Sequence, residues 1–168
     1  MSKTVYEIRQ ELEDLSYQRF EYLIADLWTL DGWRTEVTGG KDEFGEDVIA
    51  RRDLPFETEI LIQAKAYSKG NKVGKDLIDK AALPRVTEFD EMVVVTSNAF
   101  TAEAKKAAEF TDTKLVNGRQ LSNFVQQLDA EPLLEEYRNA DEPTDPDIWE
   151  YTYSTEINNR VTGMKYIG

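Results

Sequence analysis

Asp47, Gln63 and Lys65 form the constellation in this chain best suited to catalysis. They fall in one stretch, KDEFGEDVIARRDLPFETEILIQAK (residues 41–65), which reads as two strands joined by a turn. Asp47 stands at the head of the first strand, shortly after Gly45. Gln63 and Lys65 lie two apart in the second strand, so their side chains project from one face. An acid on one strand and a polar-x-Lys pair on its neighbour suit divalent-metal chemistry on a phosphodiester. The acid holds Mg²⁺, while the lysine orients a water or steadies the developing negative charge.

What the chain lacks narrows the chemistry further. It contains no Cys, which excludes disulfides, zinc ribbons and thiol nucleophiles. It contains no His, which removes the usual general base and the commonest zinc ligand. Serine triads and histidine-metal nucleases are therefore excluded. Carboxylates, Lys, Tyr, Ser/Thr or a bound metal must do whatever chemistry there is.

At 168 residues, with 40% hydrophobic and 11% aromatic content, the chain can bury a real core. No apolar run approaches the ~20 residues of a membrane span, and the charged start MSKTVYEIRQ is unlike a signal peptide. The expectation is a cytoplasmic protein with no membrane partner. A net charge of −13 would ordinarily argue against a nucleic-acid partner. A halophilic source offers another explanation, because salt screens long-range repulsion. The charge is uneven: residues 129–168 hold 10 acids and 3 bases, a net of −7. One basic island interrupts it, with Lys69, Lys72, Lys75 and Lys80 following Lys65 and only Asp76 and Asp79 opposing them. That island reads equally as a solvated helix face or as a surface that tracks phosphates.

The elements that must position these residues are legible from periodicity. Residues 4–14 suit a short helix or an arm. Phe20, Leu23, Ile24, Leu27 and Trp28 recur at helical spacing after Ser16, a natural N-cap, and the helix should end near Asp31-Gly32. Glu21 borders that apolar stripe, where a solvated carboxylate is the ordinary reading. Strands follow at WRTEVT, DVIARR and ETEILIQAKAY. Gly70 and Gly74 mark a loop before a helix limited by Pro84. EMVVVT reads as a buried parallel strand, SNAF leads into the helix TAEAKKAAEF capped by Thr101, and a short strand at 114–116 precedes the helix RQLSNFVQQL. This order predicts a three-layer α/β/α sandwich around a central mixed sheet. Residues 1–128 make the main domain. Residues 129–168 make an acidic extension, with a short helix and linker and an alternating WEYTYST segment that suits a hairpin.

The segments FEYLIADLWTLDGW, GEDVIA, ILIQAK, VVVTSNAFTAEAKKAAE and LVNGRQL, in that order, resemble the Mrr-like branch of the PD-(D/E)xK nuclease superfamily. The resemblance covers residues 16–128 and implies a restriction-endonuclease-like fold. It implies that Asp47 binds Mg²⁺ or Mn²⁺, that Lys65 is the catalytic lysine, and that Glu21 joins the metal site. Gln63 stands where many members carry Glu or Asp, and Glu43 and Asp42 lie near the place of a further family acid. Two departures stand out. Glu43-Phe44-Gly45 replaces a more usual Asp-Gly-Gly, and the chain has no room for the separate DNA-recognition domain of full-length relatives. Specificity then comes from a separate partner or from reading DNA shape. Paired cuts on duplex DNA would require a homodimer. The implied function is a metal-dependent DNA endonuclease in restriction, defence or repair. The rivals are an endonuclease-fold DNA-binding or protein-interaction module without catalysis, and an acidic interaction protein that pairs through its C-terminal aromatic segment.

Overall fold

The computed structural model describes residues 3–38, 47–65, 72–82 and 88–139. Two helices lead: α1 (Val5–Glu13) and α2 (Tyr17–Leu30). The Ser16 hydroxyl accepts from the Arg19 backbone N–H at 3.4 Å and starts α2 as expected. Gly32, at φ +103°, releases the chain from α2 in a conformation that favours glycine. Strands β1 (Arg34–Val37), β2 (Asp47–Arg52) and β3 (Thr58–Lys65) then form an antiparallel meander.

The short strand β4 (Lys72–Val73) and helix α3 (Lys75–Ala82) precede β5 (Glu91–Thr96). The short β6 (Ala99–Phe100), α4 (Ala102–Thr111), β7 (Thr113–Val116), α5 (Gly118–Gln127) and α6 (Glu131–Asn139) complete the described body. The main sheet has five strands in the order β1-β2-β3-β5-β7. Its β3-β5 and β5-β7 pairs are parallel, so the sheet is mixed, as the sequence predicts. EMVVVT sits between two parallel neighbours and is buried from Met92 onward, which explains its unbroken apolar run.

Each face of the sheet carries its own core. On one face, Val48, Ala50, Ile60, Ile62, Val93 and Val95 pack with α1, α2, α5 and α6. On the other, Val94 packs with Ile78 of α3 and with Ala104, Ala107 and Ala108 of α4. Trp28 meets Phe124 edge to face at 5.1 Å, which ties α2 to α5.

A second, two-stranded parallel sheet joins β4 to β6, which periodicity did not anticipate. Lys72-Val73 falls in the stretch read as a loop, and Ala99-Phe100 in the lead into a helix. Two-residue strands show no alternation. Here the pairing follows from burial of Val73 and Phe100 in the second core and from the Thr101 N–H donating to the Val73 carbonyl at 3.0 Å.

Helix α6 lies beyond Leu128, where the sequence reading begins its C-terminal extension, and it packs on the first core through Leu134 and Tyr137. A charge cluster clasps it to the chain's other end. Lys3 pairs with Glu11 at 2.6 Å and Glu135 at 3.1 Å, and Arg138 pairs with Glu11 at 3.2 Å. The loop 41–46, Lys69 and the aromatic segment expected to form a hairpin lie outside the described residues.

Helix α5 starts against the end of β5. Asn117 and Gln120 form a reciprocal capping box, and the Gly118 N–H donates to the Asn98 carbonyl at 2.7 Å. A Cβ on Gly118 would sit 2.2 Å from the Ser97 carbonyl oxygen, a backbone atom with nowhere to go. Gly118→Ala is therefore expected to destabilise the protein by about 1–3 kcal/mol, the usual range for overpacking. Urea unfolding checks this, and an unchanged midpoint would contradict the close approach.

Candidate active site

The antiparallel register of β2 and β3 sets Asp47 directly opposite Gln63. Directly opposed residues share a face, so the backbone directs Asp47 and Gln63 to the same side. Gln63 is in turn beside Val94 of β5, a member of the second core, which places both residues on the α3/α4 side of the sheet. Gln63 is buried. Lys65 follows two residues later as the last residue of β3, half-buried and beside Thr96 in register. Two of the three core candidates are thus cross-strand partners, and the third lies one pleat away. The Asp47 side chain lies outside the described atoms.

Glu21 arrives from α2, which packs on β2 and β3 from the opposite side of the sheet. It is wholly buried, contrary to the ordinary reading of a solvated helix carboxylate. A carboxylate out of water requires cationic or hydrogen-bonding company, which is how site residues behave more often than surface ones. The first turn of α2 reaches the end of β3: the Lys65 ammonium lies 5.8 Å from the centroid of the Tyr17 ring. Tyr17 and Glu21 are four residues apart, so they line one side of that helix. The contact therefore brings Glu21's side of α2 toward the strand end that carries Lys65. Sequence reasoning missed Tyr17. Its only signal was its position one turn before Glu21.

Around this point the ends of the parallel strands carry buried polar groups. Thr96, Ser97 and Asn98 are all buried, and the Thr96 hydroxyl accepts from the Asn98 N–H at 3.2 Å. By sequence this turn reads only as a lead into a helix. It is the segment against which Gly118 packs, so α5 fixes the neighbour of the Lys65 strand.

By ligand chemistry the candidate donors suit the divalent cation implied by the resemblance, although Gln63 and the helix that carries Glu21 lie on opposite sides of the sheet. Asp47, Glu21 and Gln63 offer carboxylate and amide oxygens, the hard ligands that Mg²⁺ and Mn²⁺ take. The chain has no thiol or imidazole to select a softer metal. Among the described residues no three acidic side chains gather at one point.

The basic island is partly visible. Lys72 on β4 and Lys75 at the start of α3 are exposed, and Lys75 lies 3.8 Å from Asp79 in an exposed ion pair. Lys80 is in α3 with its side chain outside the described atoms, and Lys69 is outside altogether. No helix among the described residues is long and apolar enough to cross a membrane.

With the geometry in place, comparison with known proteins defines the class. The family model for the Mrr catalytic domain, described as a restriction endonuclease, matches residues 12–125. The chain belongs to this restriction-endonuclease family. Its fold is similar to that of the DNA modification-dependent restriction endonuclease AspBHI, at 21% identity and a TM-score of 0.58, over 82% of this chain and 41% of that one. It is also similar to MspJI restriction endonuclease, solved in complex with a 27-mer oligonucleotide, at 18% identity and a TM-score of 0.55. That match covers 85% of this chain and 37% of MspJI, so the chain spans about two fifths of the length of either neighbour. Searched by sequence, the curated proteins give no significant match.

Proposed function

We propose that this protein is a divalent-metal-dependent deoxyribonuclease that hydrolyses DNA phosphodiester bonds in restriction, defence or repair. The observation that carries this reading is the pairing of β2 with β3. It opposes Asp47 to Gln63 and leaves Lys65 one pleat further on, in a chain of the restriction-endonuclease family. Asp47, Gln63 and Glu21 would hold Mg²⁺ or Mn²⁺. A cation so bound makes water a better nucleophile and offsets charge on the phosphate.

Lys65 donates to the phosphate oxygens on which negative charge grows, and steers the attacking water. Among the described residues no carboxylate is seen to pair with its ammonium, which lies 5.8 Å from the Tyr17 ring centroid. Exposed Lys72 and Lys75, with Lys69 and Lys80, would contact the DNA backbone. The neighbours' own names support DNA as the ligand class, and AspBHI's dependence on modification makes modified DNA a substrate worth including. Duplex cleavage on both strands would call for a homodimer, and sequence choice for a separate partner.

The acidic composition favours a second reading, a DNA-binding or protein-interaction module of the same fold without catalysis, and so does Gln63. Gln63 contributes one formal charge fewer than a carboxylate to the cation site. Cleavage of supercoiled, linear and methylated DNA with Mg²⁺ or Mn²⁺, from low to molar salt, decides between them. Metal-dependent nicking that Asp47→Ala abolishes is the expected result. DNA binding with no cutting, unchanged in Asp47→Ala, would leave the module reading in its place.

A further inference from the structure

Lys65 is a flexible side chain at the end of a strand, and some neighbour must hold it if it is to act on a phosphate. A free lysine loses up to ~2 kcal/mol of rotamer entropy when fixed. Carboxylates are the usual partners, but a carboxylate would neutralise the ammonium and compete with the phosphate for its protons. Among the described residues none pairs with Lys65. What stands beside it is the ring of Tyr17, 5.8 Å from ammonium to ring centroid. An aromatic face attracts a cation through its quadrupole, and it leaves the charge and the three N–H donors of the lysine for another ligand.

The ring is placed on a rigid element. Tyr17 is the first residue of α2, directly after the Ser16 cap. Phe20 and Glu21, three and four residues on, are wholly buried and anchor that turn. Tyr17 itself remains 39% exposed, at the rim and not in the core. Its position is therefore fixed by its neighbours.

We propose that Tyr17 is a positioning residue for Lys65, its ring holding the ammonium at the end of β3 in the orientation that meets the scissile phosphate. One turn of α2 then serves the site twice, with Tyr17 steadying the lysine and Glu21 joining the cation ligands. This inference rests on the nuclease reading above, and two readouts separate their failures.

The first readout is NMR of lysine-labelled protein, with Lys65 assigned through Lys65→Arg. The ring current of Tyr17 is expected to shift the Lys65 side-chain methylene signals. Tyr17→Leu should remove the shift and Tyr17→Phe should keep it. The second is single-turnover cleavage of duplex DNA in Mg²⁺. Tyr17→Leu is expected to lower the rate constant about 2- to 5-fold, the scale of an exposed cation–π contact, with DNA affinity and melting temperature at the parent values. Tyr17→Phe should restore the parent rate. Lys65 signals that do not move, an active Tyr17→Leu at the parent rate, or a Tyr17→Phe as slow as Tyr17→Leu would each overturn the inference. Failure of the nuclease reading looks different: the wild-type chain itself does not cut.

Discussion

Lys65→Ala lowers the single-turnover rate of phosphodiester cleavage about 10²- to 10³-fold and leaves DNA affinity within a few-fold of the parent. That size is typical for removal of one donor aimed at charge that develops only in the transition state. Ground-state phosphate contacts are spread over many basic residues, so losing one changes binding little. The structure sharpens this expectation in two ways. Lys65 ends β3 on the same face as Gln63, and no ion pair joins it to another described side chain. It is also half-buried, so the truncation leaves no large cavity and the fold should persist. Lys65→Arg should recover only part of the rate, because a planar guanidinium presents its donors in a different geometry from a compact ammonium. Rapid-quench cleavage and filter binding on the same preparations test this. Equal losses in binding and cleavage would reduce Lys65 to one phosphate contact among several.

Asp26→Asn flattens the dependence of stability on pH between about 4 and 7 and leaves the protein more stable than its parent at about pH 8. Asp26 is 2% exposed on α2, and its carboxylate accepts a hydrogen bond from the Tyr137 hydroxyl of α6. Burial pushes its carboxyl up from 3.8 to about 7, against the pull of the Tyr137 hydrogen bond, and the nearby charge of Glu136 adds to the rise.

The sign follows from proton counts. Below about pH 4 both folded and unfolded chains hold the proton, and the stabilising contribution is fully present. Between about pH 4 and 7 the folded chain keeps a proton that the unfolded chain has released, so stability falls as pH rises. Above about pH 7 the effect is complete, at an upper bound of about 4 kcal/mol. Asparagine stays neutral throughout and still offers Tyr137 an acceptor. Comparing variant with parent isolates Asp26 from groups of opposite sign, such as Glu135, whose carboxyl hydrogen bonds from Lys3 hold low. Tyr137→Phe should cost about 1–3 kcal/mol by leaving a buried acceptor unmet, and should carry the fall in stability to higher pH. Denaturant unfolding at several pH values reads both variants. Parallel profiles for Asp26→Asn and parent would refute the assignment.

The strands and helices that bury alternating or stripe-patterned residues were the legible part of this chain. DVIARR, TEILIQAK and EMVVVT fall in the structure where their patterns predict, and the Ser16 and Thr101 caps start their helices. Gln63 and Lys65 are legible as sharing a face because strand spacing aligns them, whereas Asp47 stands opposite Gln63 only through the β2–β3 register. Glu21 was harder: its neighbours in sequence say only that it borders an apolar stripe, and its complete burial depends on how α2 meets the sheet. The contact of Tyr17 with Lys65 joins residues 48 positions apart and leaves no periodic trace. The same holds for the β4–β6 pair and for Asp26, which looks from sequence like an ordinary helix carboxylate until Tyr137 closes over it.

The clasp of Lys3 and Glu11 with Glu135 and Arg138 has a further meaning, beyond the small energy of ion pairs at a partly buried surface. It sets the two ends of the described body side by side. A body whose ends adjoin can be spliced into the middle of another polypeptide, or removed from it, through a single doorway and with no strand of its sheet disturbed. Such an arrangement would let the described body be carried intact, as a cassette, within a larger polypeptide.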